Sequence, residues 1–288
     1  MTTVFLRRAN LGRSSVLGIK RAMTTPTATY KPWENKVYGN VSDTITVVRW
    51  GCTANIPQSL PYTTIINKAS AIHGVNDKRY FRQLLTNEYP ELIPQTFFEV
   101  KDNLPYPLIV RPAKHSQGKN LWVVNSLEEL VNVVSSLPSW YASRLINKVS
   151  EFRVYVANGR VITVAQKTPE DPTAVAWNVA QGGRFDVVPW GQWNLDVCRN
   201  AIESFSLSEL DFGGVDVMTN EGGRPYTIEI NSAPSLPFLS DNKVSYRQTC
   251  MAKYFDYVSE KGNNWIEPTG FSNWRDVIHP AIWSEGGN

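Results

Sequence analysis

The sequence predicts an α+β protein, antiparallel over most of its length, with a small α/β layer at its amino end. Two hairpin patterns lie beside helical patterns, with strands at 152–157 and 160–165 and at 215–218 and 226–230, and strand-helix-strand crossovers are few. The 288 residues, 42% apolar and 19% charged, suffice for one large or two ordinary domains with a real core, which excludes disorder.

In chain order, 3–6 reads as a strand, Asn10-Leu11-Gly12 as a turn, and the next residues as a helix capped by Ser14 and carrying Val16, Leu17, Ile19 and Met23. An Arg-rich, acid-free opening is also the composition of an organelle-targeting segment, and the strand-turn-helix pattern is the preferred reading. A strand at 44–49 completes the small layer. A helix at 77–86 places Tyr80, Phe81, Leu84 and Leu85 on one face. Strands at 108–111 and 121–124 flank a polar loop at 112–119, and Ser126 with Glu129 forms a capping box for a helix burying Leu127, Leu130, Val131, Val134 and Leu137. Asn158-Gly159 is the strongest hairpin signal, because both central residues of a type I′ turn need positive φ. Helices follow with Leu195, Cys198, Ala201, Ile202 and Phe205, and over about 245–258; the stretch 261–288 shows no clear period.

The net charge is +3, but Arg7, Arg8, Arg13, Lys20, Arg21 and Lys31 precede the first acid, Glu34. Setting those six of 29 bases aside leaves 23 against 26 acids, so the body is about −3 and no basic aromatic stripe argues for nucleic acid. Cys52, Cys198 and Cys250 are widely spaced without a CxxC, which points to buried or free thiols, a reducing compartment and a cytoplasmic location. No run approaches the roughly 18 apolar residues of a membrane span.

Asp216, Glu229 and Asn231 carry the sharpest chemistry. Folding the second hairpin brings Asp216 opposite 228–229, and Glu229 and Asn231, two apart, share a face. Two carboxylates and an amide oxygen suit Mg²⁺ or Mn²⁺ bridging phosphates; a solvated hairpin face is the alternative. Lys78, Arg111, Lys114, Lys119, Arg153, Lys167 and Arg184 supply matching positive charge. Ser116-Gln117-Gly118 reads as a phosphate-covering flap or as a plain hairpin loop; it is not a P-loop. Trp177, Trp190 and Trp193 line an acceptor pocket or fill an interface between subdomains.

The order of these pieces resembles the ATP-grasp enzymes, especially RimK-like carboxylate-amine ligases and bacterial glutathione synthetase, over roughly 65–258. The matching stretches are Asn76-Asp77-Lys78, Ile109-Val110-Arg111 with Ser116-Gln117-Gly118, Glu151-Phe152-Arg153, Asn178 with Gly182-Gly183-Arg184, Gly214-Val215-Asp216, and Glu229-Ile230-Asn231-Ser232-Ala233-Pro234.

The resemblance implies an ATP-grasp fold, two α+β subdomains clamping ATP behind an α/β pre-ATP-grasp domain. The divisions would be 1–70 for the pre-grasp domain, 71–146 for the small subdomain and linker, 147–260 for the second subdomain, and 261–288 for an irregular tail. It implies that Lys78, Arg111, Ser116, Gln117, Gly118, Lys167 and Asn178 serve the nucleotide, with Arg111 standing where the family usually has Lys. It further implies that Leu145 and Ile146, in the linker 144–147, face adenine, and that Glu151 meets a ribose hydroxyl or an incoming amine. A two-residue turn register, however, puts Gln166 rather than Lys167 on the Arg153 face. Arg153 and Arg184 would be the catalytic cations, and Asp216, Glu229 and Asn231 would hold two Mg²⁺ or Mn²⁺. The implied activity is amide formation from a carboxylate and an amine through an acylphosphate, releasing ADP and phosphate. The amine would come from an amino acid, a peptide or a protein terminus, and a homodimer is a candidate assembly. An ATP-grasp kinase and a non-catalytic Mg-ATP-binding module are the alternatives.

Overall fold

Strand β1 (Thr2–Arg7) is buried along all six residues, as befits the centre of a parallel sheet covered on both faces. The structure is a computed structural model and describes residues 1–10, 12–114, 120–177 and 182–285. α1 (Arg13–Ala22) crosses from β1 to β2 (Thr27–Lys31), and β3 (Lys36–Tyr38) closes that edge antiparallel. On the other side β4 (Ile45–Trp50) and β5 (Thr64–Ile66) run parallel to β1. The expected Ser14 cap is not formed: Gly12 precedes the helix at φ 69°, where a Cβ would stand 2.4 Å from the Trp50 ring. The next hydroxyl, Ser15, instead accepts from the Leu236 amide at 2.9 Å.

α2 (Ala69–Asn76), which the sequence pattern did not suggest, leads directly into α3 (Lys78–Glu88), whose cap is Asp77. The buried face of α3 is Phe81, Arg82 and Leu85, whereas Tyr80, expected inside, is exposed. The helix has turned to bury a guanidinium, for a reason the site makes plain.

The second sheet, in the order β6-β9-β7-β8, contains β6 (Thr96–Phe97), β7 (Leu108–Pro112), β8 (Trp122–Val124) and β9 (Trp140–Arg144). α4 (Leu127–Val134) follows β8; Ser126 caps it, but Glu129 reaches back to the Asn125 amide, and only Leu130 is fully buried while Val131 is exposed. This sheet keeps its own small core of Leu104, Leu108, Val110, Val124, Leu130 and Ala142.

The third sheet is fully antiparallel, in the order β12-β11-β10-β13-β14: β10 (Lys148–Ala157), β11 (Arg160–Thr168), β12 (Arg184–Val188), β13 (Phe212–Asn220) and β14 (Pro225–Asn231). Asn158 and Gly159 take φ 45° and 80°, the two positive values expected. α5 (Leu195–Ser206) packs on this sheet, and α6 (Tyr246–Lys261), with a Ser245–Gln248 capping box, joins it to the first: Trp50 stacks on Phe212 at 5.2 Å and Phe5 meets Phe255 edge-on at 5.4 Å. All three cysteines are free and buried.

The irregular stretch beyond α6 packs back on the first hairpin. Its Ile266 amide donates to the Asn158 carbonyl and its His279 amide to the Val161 carbonyl, each at 2.8 Å, while α7 (Trp274–Val277) brings Trp274 to 5.8 Å from Trp190. Arg160 donates to the Asp276 and Glu267 carbonyls. Burial pushes the His279 imidazole down to about 3, so it stays neutral between the Tyr254 and Tyr257 rings.

Candidate nucleotide and acyl-transfer site

The second and third sheets face each other across a cleft of about 770 Å³, part of it open to solvent. Ile109, Arg111, Ser143 and Arg144 line one wall; Lys148, Glu151, Lys167, Asp216 and Glu229 line the other. α3 bridges the two. Arg79 donates to the Trp140 carbonyl at 2.7 Å in the second sheet, while Lys78 donates to Ile230 at 3.0 Å and Arg82 to the Ile228 carbonyl in the third.

Across three neighbouring strands, Arg153, Asp216 and Glu229 form one row, because Arg153 is the cross-strand partner of Asp216 and Asp216 of Glu229. Arg153 binds Asp216 through two bonds, Nε to Oδ1 at 2.6 Å and Nη2 to Oδ2 at 2.7 Å. Burial opposes the Arg153 charge, but the Asp216 carboxylate outweighs it and raises the guanidinium pKa. Burial would likewise raise Glu229, yet Lys78 at 3.9 Å, the Asn231 amide at 3.1 Å, Arg153 and Arg111 together hold that carboxyl down to about 2. A second row holds Lys167 and Glu151, which touch, with Lys148 2.8 Å from the other Glu151 oxygen and Asp216 3.8 Å from Lys167. Burial lowers the Lys148 pKa, with Glu151 acting against that shift. Its ammonium also donates to the Val175 carbonyl at 3.1 Å and lies 4.2 Å from the Trp177 ring centre, so the 175–177 segment closes that end.

Three β-bulges set this arrangement. One residue too many on β10 (Val149), on β11 (Ile162) and on β14 (Ile228) shifts the register by one, and each shift carries one charged residue, Lys148, Lys167 or Glu229, onto the common face. Lys167 therefore stands opposite Glu151, which corrects the register expected from a plain two-residue turn. The Ile228 bulge releases a carbonyl from the ladder, and buried Arg82 satisfies it, which explains the rotation of α3.

Other expectations are placed differently. Lys78 supports β14 and Glu229 rather than lining the cleft. Leu145 commits its amide to the Pro107 carbonyl and Ile146 lines a separate pocket, so Ser143 and Arg144 form the linker's side of the cleft. Arg184 is exposed and paired with Asp186 at 3.1 Å; it lies opposite Thr168, on the sheet face away from Lys167 and Arg153. Its neighbour Phe185 faces inward instead. Arg111 lines the cleft as expected, with a buried Nε that has no partner. Trp177 lines the cleft, whereas Trp190 and Trp193 pack with each other at 6.5 Å. Ser116, Gln117, Gly118 and Asn178 lie outside the described residues. Lys148 and Arg82 went unforeseen: an odd spacing from Glu151 hides Lys148 unless the bulge is known, and Arg82 reads as one more helix cation.

Two β-sheets clamping a cleft lined with cations and a pair of facing carboxylates define an ATP-grasp protein. The chain belongs to the RimK-like ATP-grasp domain family, whose model matches residues 82–251. A probable alpha-L-glutamate ligase of Legionella pneumophila (strain Corby) is 24% identical over 185 residues, 59% of this chain and 60% of that protein. A D-alanine–D-alanine ligase of Clostridium beijerinckii is 26% identical over 149 residues, 48% of each. The chain thus spans 60% or less of the length of these curated relatives. Among solved structures, the Chryseobacterium gregarium RiPP-associated ATP-grasp ligase with ADP and a leader and core peptide aligns at TM-score 0.63 and 13% identity, covering 92% of this chain and all of that one. The ATP-grasp ligase PsnB with minimal precursor, Mg and ADP aligns at 0.62 and 11%, covering 89% and 97%. At such identity these likenesses show the shared fold. Among the described residues no helix is long and apolar enough to cross a membrane.

Proposed function

We propose that this chain is an ATP-dependent carboxylate-amine ligase that makes an amide through an acylphosphate, releasing ADP and phosphate. The observation that carries the reading is the Arg153–Asp216–Glu229 row facing Arg111 across the cleft, within a RimK-like domain. Lys148, Lys167 and Arg111 would offer charge for the nucleotide phosphates, and Glu151, held between two lysines at the cleft wall, would meet a ribose hydroxyl or an incoming amine. Ser143 and Arg144 stand where the linker would meet the base.

Among the described residues no three Asp, Glu, His or Cys side chains converge, so a metal here would take two carboxylates and one amide oxygen and complete its shell with phosphate oxygens and water. The facing of Asp216 and Glu229 fits that donor set, and rotating the Asn231 amide presents its oxygen. Asp216, Glu229 and Asn231 would hold Mg²⁺ or Mn²⁺, two ions by family analogy, which when bound neutralises charge on the transferring phosphoryl group. The chain's own part is positional. Arg153, fixed by Asp216, stabilises negative charge as the substrate carboxylate attacks and again as the amine adds to the acyl carbon. An acylphosphate formed in the cleft would be protected from hydrolysis to the extent that the bound substrates displace its water.

The test is release of ADP and phosphate on adding an acid and an amine together, with hydroxylamine trapping a hydroxamate when the amine is left out. A stable phosphoester product without amide would select a kinase instead, and Mg-ATP binding with no turnover on any pair would select a binding module.

A further inference from the structure

Two cavities adjoin the linker between the second and third sheets: the nucleotide cleft, lined by Lys148, and another, lined by Ile146. The second encloses about 900 Å³, part of it open to solvent. Phe97 and Arg144 reach it from the second sheet, and Arg224, in the β13–β14 turn, and Tyr226 of β14 reach it from the third. Its walls thus belong to the same two sheets that clamp the cleft. Pro94 and Arg144 line both cavities, so they form the partition between them.

The chemistry of the lining selects a ligand. Two guanidinium groups and, among the described residues, no acid line the second cavity, which favours an anion. Arg224 donates Nη2 to the Glu91 carbonyl at 3.2 Å, and its guanidinium carbon lies 5.2 Å from the Tyr226 ring centre. Guanidinium and rings together suit a planar π system. A further donor comes from β6, the free edge of its sheet. The Arg144 amide donates to the Gln95 carbonyl at 2.9 Å, which makes those two a bonded pair. The next pair, Thr96 with Ser143, is therefore the unbonded one, and Thr96 turns its N–H and C=O away from β9. Thr96 is only 7% exposed and lines the cavity, and its amide has no partner among the described residues. A buried backbone N–H left without a partner is rare in a folded chain, and a ligand oxygen would satisfy it.

We propose that this junction cavity is a second ligand site, separate from the nucleotide cleft, for a small aromatic carboxylate. The ring lies against Tyr226 and Phe97, and the carboxylate meets Arg144, Arg224 and the Thr96 amide. Because Arg144 also lines the nucleotide cleft, one cation serves two anions, and each ligand lowers the other's affinity by the same factor. The site stands without the ligase reading; only the coupling needs a nucleotide in the cleft.

Calorimetric titration with benzoate, 1-naphthoate and indole-3-acetate, each beside its neutral amide, reads the site without turnover. At least one acid is expected to bind saturably, once per chain, and tenfold or more tighter than its amide. Arg224→Gln should remove that preference and leave Mg-AMPPNP affinity unchanged, whereas Tyr226→Leu should weaken acid and amide alike. Thermal melts check that the variants fold. As the acid approaches saturation, the Kd of Mg-AMPPNP should rise threefold or more and then level off, and Arg144→Gln should abolish the rise. No saturable binding, equal binding of acids and amides, or an undiminished preference in R224Q would overturn the site. A rise in Kd without limit would put the acid in the nucleotide cleft and overturn it equally; no rise, or a fall, would overturn the coupling. If the acid binds as expected but no acid-amine pair gives turnover, the ligase reading falls and the site stands.

Discussion

Lys167 meets Glu151 only because β11 has one residue more than β10 between them, Ile162 bulging where Tyr155 and Val156 change partners. Glu151 in turn holds Lys148, so one buried acid compensates two buried ammonium groups. Glu151→Gln should therefore cost about 3 kcal/mol or more, the usual penalty for stranding a buried charge. At about 2–4 °C per kcal/mol for a chain of this scale, thermal unfolding should fall by at least several degrees. An unchanged melting temperature would show that the lysines do not depend on Glu151.

The paired bonds from Arg153 to Asp216 predict that charge alone will not serve. Arg153→Lys keeps the charge but loses the planar fork, and should lower turnover by roughly 10²-fold or more, as should Asp216→Asn. Steady-state kinetics decide; near-parental rates in R153K would remove Arg153 from the reaction.

Glu229 yields a pH prediction. Its carboxyl titrates near 2 in the fold against an ordinary value of 4.5, so its contribution is present above about 4.5 and is lost as pH falls toward 2. The shift corresponds to at most about 3 kcal/mol, and to less because the side chain is a quarter exposed. Urea midpoints at pH 7 and pH 3 should differ less in Glu229→Gln than in the parent. Equal differences would place the acid sensitivity elsewhere.

Two glycines separate backbone strain from collision. Gly159 and Gly223 both have positive φ, 80° and 76°, but a Cβ on Gly159 would lie 2.7 Å from the Ile266 carbonyl and the Trp265 ring, whereas none lies within 4 Å of one on Gly223. Gly223→Ala should cost about 1 kcal/mol from the left-handed conformation alone. Gly159→Ala should cost clearly more and expose residues beyond 261 to limited proteolysis. Equal melting temperatures for the two would refute the collision.

Much of this site was legible because strand alternation and a turn are local. Asp216, Glu229 and Asn231 announce a shared face through spacing and a glycine-rich turn, and Arg153 follows from its own strand. What stayed hidden depends on single-residue irregularities. No pattern in the sequence marks Val149, Ile162 or Ile228 as bulged, and each decides which side of the sheet the next charged residue occupies. Arg184 illustrates the converse, a motif residue whose strand register turns it outward. The inward burial of Arg82 and Arg247 was equally illegible, since it answers a bulge carbonyl in one case and a tyrosine hydroxyl in the other.

The contacts of Ile266 and His279 with the first hairpin, together with the Thr3 hydroxyl 3.1 Å from that of Ser259, bear on the order of events during synthesis. Strand β1 is completed by a helix made some 250 residues later, and the first hairpin waits for a later segment still. A ribosome-bound chain can form the small second sheet early, since its strands and core lie within 96–144, but the third sheet, the other wall of the cleft, closes late. Until then its apolar strands are open to wrong partners, so yield in cells should respond more to slower synthesis and chaperone supply than to changes in the cleft.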